Sequence, residues 1–135
     1  MKFSVEKENY SMTADVQVIG NDILVVLTGG DTPHIGAVTT LTADSDIQTI
    51  KYPSHDGRFH KDGVLGERIA KMIQPELPGS CTITSGIHVN HISKKQIMVS
   101  DSMARYLGSQ ILDWMKKTEF NAAKPIYYSK NEQPK

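Results

Sequence analysis

The chain of 135 residues predicts an α+β domain. Three observations carry that expectation: short runs of alternating apolar and polar residues fill the first half, clusters of glycine, asparagine and aspartate separate them, and the apolar period becomes helical beyond Pro53. Ala14, Val16 and Val18 alternate with Asp15 and Gln17, the period of a strand with one wet face. Gly20-Asn21-Asp22 then supplies residues that tolerate positive φ, so this strand and the apolar run at 23–27 form a hairpin. That unbroken run predicts a central strand covered on both faces. Residues 37–42 are β-branched, Ala43-Asp44-Ser45-Asp46 turns the chain, and residues 47–50 pair back. The expected sheet is a small antiparallel meander with two or three helices packed on it.

A helix over about 62–73 is expected, with Asp62 as its N-cap and Val64, Leu65, Ile69, Met72 and Ile73 on one buried face. Pro75 and Pro78 end that segment, and residues 80–85 form a further strand. Ser93 caps the next helix, and a break near Ser100-Asp101 precedes a longer one. In the longer helix Met103, Tyr106, Leu107, Ile111, Leu112 and Met115 recur at helical spacing, a stripe that reads as packing rather than a ligand box. Residues 1–118 form one domain, and 119–135 form a polar tail, flexible or serving through Ile126-Tyr127-Tyr128 as a docking arm.

Bulk properties exclude several classes. Fifteen basic and fifteen acidic residues cancel, so no long-range field draws the molecule to nucleic acid or a bilayer. Cys81 is the single cysteine, which rules out an internal disulfide and a thiolate zinc cluster within one chain. Its β-branched neighbours make it a small buried strand residue. No apolar stretch approaches the ~20 residues of a membrane span, and residues 1–8 lack a signal-peptide core, so a cytoplasmic location is expected.

Chemistry concentrates in loops. Thr28-Gly29-Gly30-Asp31-Thr32-Pro33-His34-Ile35-Gly36 and Gly86-Ile87-His88-Val89-Asn90-His91 each set glycine, a hydrogen-bonding residue and histidine directly after an apolar strand. If both strands share a sheet, their loops converge on one rim and bring imidazoles, a carboxylate and free backbone N–H groups together. The paired glycines and the hydroxyls of Thr28 and Thr32 suit phosphate, yet neither a Walker loop nor a dinucleotide fingerprint is present. His34, His60, His88 and His91 lie in glycine-bearing loops, and with Asp31 or Asp62 they compose a mixed nitrogen and oxygen set for a divalent ion. Arg58 and Lys61 offer positive charge beside them. No nucleophile elbow exists, so covalent catalysis has no support, while a histidine acid or base stays open.

The stretches 28–36, Phe59-His60-Lys61-Asp62 and Gly86-Ile87-His88-Val89-Asn90-His91-Ile92-Ser93 resemble the three marker stretches of a small bacterial family. It is typified by the D subunit of gallate decarboxylase, the prenylated-flavin chaperone that accompanies reversible aromatic-acid decarboxylases. The resemblance runs over roughly residues 12 to 115. It implies a proteasome-assembly-chaperone-like fold, a homodimer, and an accessory role in binding reduced prenylated FMN and assisting its delivery to the decarboxylase large subunit. A flavin prenyltransferase is the further partner implied. Carried over by position, the cofactor-facing residues are Gly29, Gly30, Asp31, Thr32, His34, His60, Lys61, Asp62, His88, Asn90 and His91.

The leading expectation is therefore a cofactor-binding accessory subunit rather than an enzyme, with a divalent metal left open. Two other readings stand beside it. One is a metal-assisted enzyme using His34, His60, His88 and Asp31; the other is a non-catalytic assembly or interaction protein whose loops shape an interface.

Overall fold

In the computed structural model, which describes residues 1–53 and 62–135, the apolar 23–27 run forms the middle of a strand, Asp22–Gly30 (β3). It follows Lys2–Lys7 (β1) and Tyr10–Ile19 (β2), each antiparallel to the next. Glu8 and Asn9 both take positive φ in the two-residue β1–β2 turn, and Gly20 does so between β2 and β3. This backbone matches the twist of paired strands. Ala37–Leu41 (β4) and Gln48–Lys51 (β5) form a second antiparallel pair. Next come the helix Asp62–Ile73 (α1), the short 3-10 turn Gln74–Glu76, the strand Cys81–His88 (β6) and the helix Lys94–Lys117 (α2).

The α+β class holds, but the sheet is not a simple meander. Its six strands run in the order β1-β2-β3-β6-β4-β5, with β6 inserted between the two antiparallel sets. β6 runs parallel to β3 and antiparallel to β4. The crossover from β3 to its parallel neighbour spans β4, β5 and α1, since parallel strands cannot be joined by a tight turn.

Both helices lie on one face. Met12, Ala14 and Val16 of β2, Val25 and Leu27 of β3, and Ile83 of β6 point into a single core with Ile69 and Ile73 of α1 and Met103, Leu107 and Ile111 of α2. Truncating a fully buried side chain such as Leu107 to alanine in a core of this kind costs about 2–5 kcal/mol. The opposite face carries Leu24 and Val26, both only half-buried, so β3 is covered on one side rather than two. Val26 pairs with Thr84, Thr84 with Val38, and Val38 with Ile50, which is 68% exposed. An uncovered strip of aliphatic and threonine side chains therefore crosses the sheet.

The buried face of α1 differs from its apolar pattern. Val64 is exposed, whereas Gly63 and Gly66 are buried with Ile69, Ala70 and Ile73. A Cβ on Gly66 would stand 2.9 Å from Ser85 Oγ, so the helix reaches the sheet through backbone rather than through a large side chain. α2 continues through Ser100-Asp101 without a break. Ser100 and Ser102 turn their hydroxyls back to the carbonyls of Ile97 and Val99, and Asp101 pairs with Arg68 of α1 and Arg105. Ser93 caps α2 as expected, in a full capping box with Gln96. Gln96 also donates to the Glu8 carbonyl, tying the β1–β2 turn to the helix start.

After Thr118 the chain keeps a foothold. Phe120 meets Trp114 edge-on at 6.2 Å, and the Ala122 amide donates to Asn21 Oδ1. Ile126, Tyr127 and Tyr128 are exposed. Among the described residues no helix is long and apolar enough to cross a membrane.

Cys81 is buried, and burial pushes its thiol up from 9.0 to about 12. The thiolate is the reactive species, so at neutral pH iodoacetamide is expected to modify Cys81 only through unfolding, faster as denaturant is added. The unfolded thiol ionises from 9.0 upward and the folded one only near 12, so stability present below pH 9.0 is lost as pH rises through that interval. Cys81→Ala should remove this part of the alkaline loss, read as urea midpoints at about pH 8 and about pH 10.

Candidate functional site

The parallel pairing of β3 and β6 sets Gly29 beside Ile87 and Gly30 beside His88. Both strands thus deliver their following loops to the same edge. α1 and α2 also begin there: Asp62 opens one helix within reach of Ile87, and Ser93 caps the other just after His91. Met72 lies against Gly108 while Arg68 reaches Asp101, so the two helices run in the same direction from this rim.

Three backbone approaches lock the loops together. The amides of Asp31 and Thr32 both donate to the His88 carbonyl, at 2.6 and 3.3 Å, and the Gly36 amide donates to Ser85 O at 2.8 Å. Gly30 has φ +76°, and a Cβ on it would run into the His88 carbonyl. At Gly86 a Cβ would run into the carbonyl of His34. Glycine is required at both positions because two chain segments touch through bare backbone.

Carboxylates supply the remaining ties. Asp31 Oδ2 accepts from the Asn90 amide at 2.8 Å, bridging the first and third stretches. Asp62 is buried; its Oδ1 accepts from the Ile87 amide at 3.0 Å and its Oδ2 lies 3.1 Å from His34 Nε2. His34 Nδ1 faces the Thr32 carbonyl at 2.9 Å. A ring donating from both nitrogens satisfies both of these acceptors, whereas a neutral tautomer satisfies one. His88 Nε2 lies 3.1 Å from Asn90 Oδ1, a contact in which the ring donates.

The structure therefore brings Gly29, Gly30, Asp31, Thr32, His34, Asp62, His88, Asn90 and His91 to one end of the sheet. They are not equivalent. Gly29 is buried against β2, with Ser11 O closing the space a side chain would need, and Asp31 and Asp62 are occupied as ties. Thr32, His88, Asn90 and His91 are exposed, and His34 is partly so. The expected free amides of the glycine loop are instead committed at Asp31 and Thr32, because the His88 carbonyl sits where an anion would have to be. His60 and Lys61 lie outside the described residues. Among the described residues no three His, Cys, Asp or Glu side chains gather as a metal would require.

Ile35, Tyr52 and Ile92, all exposed, add apolar surface to these loops. The Tyr52 amide donates to Gly36 O, which fixes that residue beside the first stretch. Ile35 and Ile92 were legible only as apolar side chains isolated within polar turns. A surface depression of about 340 Å³ lies at the opposite end of the sheet against Leu41, Ser80 and Cys81, away from every histidine described above.

The sheet with both helices on one face is the fold of a proteasome-assembly chaperone. A chain from the crystal structure of a novel chaperone complex for yeast 20S proteasome assembly superposes with a TM-score of 0.50, covering 87% of this chain and 94% of that one at 13% identity. The chain belongs to the prenylated flavin chaperone LpdD-like family, whose model matches residues 6–116. Protein LpdD of Lactiplantibacillus plantarum is 54% identical over 133 residues, 98% of each chain.

Replacing Asp62 by alanine leaves the Ile87 amide without that acceptor and is expected to destabilise the fold by about 1–3 kcal/mol, with Asp62→Asn costing less because one oxygen remains. Gly86→Ala should lower the urea midpoint further, since the neighbour it meets is backbone. Equilibrium urea unfolding of the three variants checks both.

Proposed function

We propose that the chain binds reduced prenylated FMN at the rim where β3 and β6 end, takes it from a flavin prenyltransferase, and passes it to the large subunit of an aromatic-acid decarboxylase in the cytoplasm. The observation that carries this reading is the pairing of Gly30 with His88, which joins two histidine loops into one surface. Together with the family membership, it makes this rim the natural seat for the group that the family is named for.

The donor set fits such a ligand. His88, Asn90 and His91 offer polar atoms to the edge of a flavin ring, His34 is held beside them by the Thr32 carbonyl and Asp62, and Ile35 and Tyr52 offer apolar area to the ring face and to the prenyl-derived part. With the Asp31 and Thr32 amides committed, phosphate recognition falls to the Thr32 hydroxyl, the imidazoles, and His60 and Lys61 of the stretch before α1. Gly29 and Gly30 shape the turn, while Asp31 and Asp62 act as positioning residues. Thr32, His88, Asn90 and His91 are exposed at this seat, which suits a carrier that must release its cargo. Bound there, the reduced cofactor is protected and presented; the aromatic acid is turned over elsewhere.

A homodimer is part of the same reading. Val26, Thr84, Val38 and Ile50 form an uncharged stretch over four strands, bounded by Asp15 of β2, and a second copy laid on it would give β3 the two-sided cover that its apolar run calls for.

Anaerobic titration of the purified protein with the reduced cofactor should give a stoichiometric complex, and His34→Ala combined with His88→Ala should weaken it by about tenfold or more, near 1.4 kcal/mol. Equal affinity of the double variant, or unchanged activation of an apo-decarboxylase over a range of chaperone concentrations, contradicts the reading. Val26→Asp should convert the dimer to a monomer in sedimentation equilibrium.

A further inference from the structure

A surface beside the rim is left unused by cofactor binding. All fully buried side chains of α2 lie from Met103 onward, and of the apolar residues in 94–102 only the half-buried Val99 packs against the core. Ile97 is 55% exposed and Met98 78%; on the parallel helix α1, Val64 is 59% exposed one turn before Arg68. Arg68 and Arg105 share the single carboxylate of Asp101, at 2.9 and 2.8 Å, which joins the two helices side by side at this level.

The first turn of α2, beside this apolar patch, is basic. Lys94 and Lys95 occupy the first turn of α2, which contains no acidic residue. Cations there oppose the helix dipole, so helix stability does not account for them. Among the described residues Lys94 and Lys95 enter no ion pair, whereas both arginines lean on Asp101.

We propose that this patch is the docking surface for the recipient protein, which presents an apolar hollow edged by aspartate and glutamate. The proposal rests on the delivery reading above and names where delivery takes place. Charge decides the occupant: a two-fold contact between copies through this patch would bring lysines against lysines, whereas an acidic edge pairs with them and with the positive end of the helix dipole. Position supports it, because Ser93 caps α2 directly after His91, so a protein seated on Met98 stands next to the cofactor rim.

The test measures binding to the apo large subunit of the decarboxylase without cofactor, at about 0.1 M salt and again at about 0.5 M. Lys94→Glu with Lys95→Glu, and separately Ile97→Ser with Met98→Ser, alter exposed positions and should leave cofactor titration unchanged; the first pair, favoured by the helix dipole, should raise rather than lower the thermal midpoint. Each pair is expected to weaken recipient binding tenfold or more, and wild-type binding should fall with salt. Wild-type affinity in both double variants, or no salt dependence, overturns the docking surface while the delivery reading stands. Absence of any wild-type binding overturns both. A change of oligomeric state in the variants assigns the patch to a second copy, and wild-type binding to phosphatidylserine vesicles that the variants lose assigns it to a membrane; either result overturns the proposal. Failure of cofactor binding with recipient binding intact overturns the cofactor seat alone.

Discussion

The parallel ladder between β3 and β6 is the constraint on which the rest of the molecule depends. Its register, Gly30 against His88, puts two loops that are far apart in sequence within hydrogen-bonding distance. A slip of one residue would turn Ile83 and Ser85 out of the core and remove the carbonyl that receives the Asp31 and Thr32 amides. The glycines at 30 and 86 enforce the same register sterically, since neighbouring carbonyls fill the space of a side chain. Hydrophobic burial and loop chemistry thus select one alignment.

Once that alignment is fixed, the rim assembles from elements that each have their own reason to end there. Asp62 begins α1 where its carboxylate meets the Ile87 amide, and the capping box at Ser93 begins α2. Carboxylates and carbonyls that look, in sequence, like ligand-binding groups are largely structural ties. The imidazoles of His88 and His91 and the Asn90 side chain are what those ties leave exposed at the rim. These ties account for much of the polarity of the loops.

Much of this was legible in the sequence, for local reasons. Strand alternation at 14–18, the Gly20-Asn21 turn, the Ser93 cap and the α2 stripe at Met103, Leu107, Ile111 and Met115 all depend on neighbours within a few residues. The loops holding the chemistry were found through glycine beside histidine, a pattern that reflects backbone contact. What could not be read depends on distant partners. The choice of β6, rather than β4, as neighbour of β3 follows from the crossover. The buried glycine face of α1 follows from how near the helix stands to Ser85. The run at 23–27 suggested two covered faces, yet both helices pack on one side and leave Leu24 and Val26 half-covered.

The edge strand and the tail lead to a consequence for handling the molecule. Met1 pairs with Val16 through both its amino group and its carbonyl, and Ala122 is held by Asn21, so the chain enters and leaves its folded body at the pole away from the histidines. A molecule tethered or fused through either terminus would keep its histidine end pointing outward. Fusion at the amino end adds a peptide bond where a charged amine now closes the sheet margin, whereas fusion beyond residue 122 leaves every ladder intact.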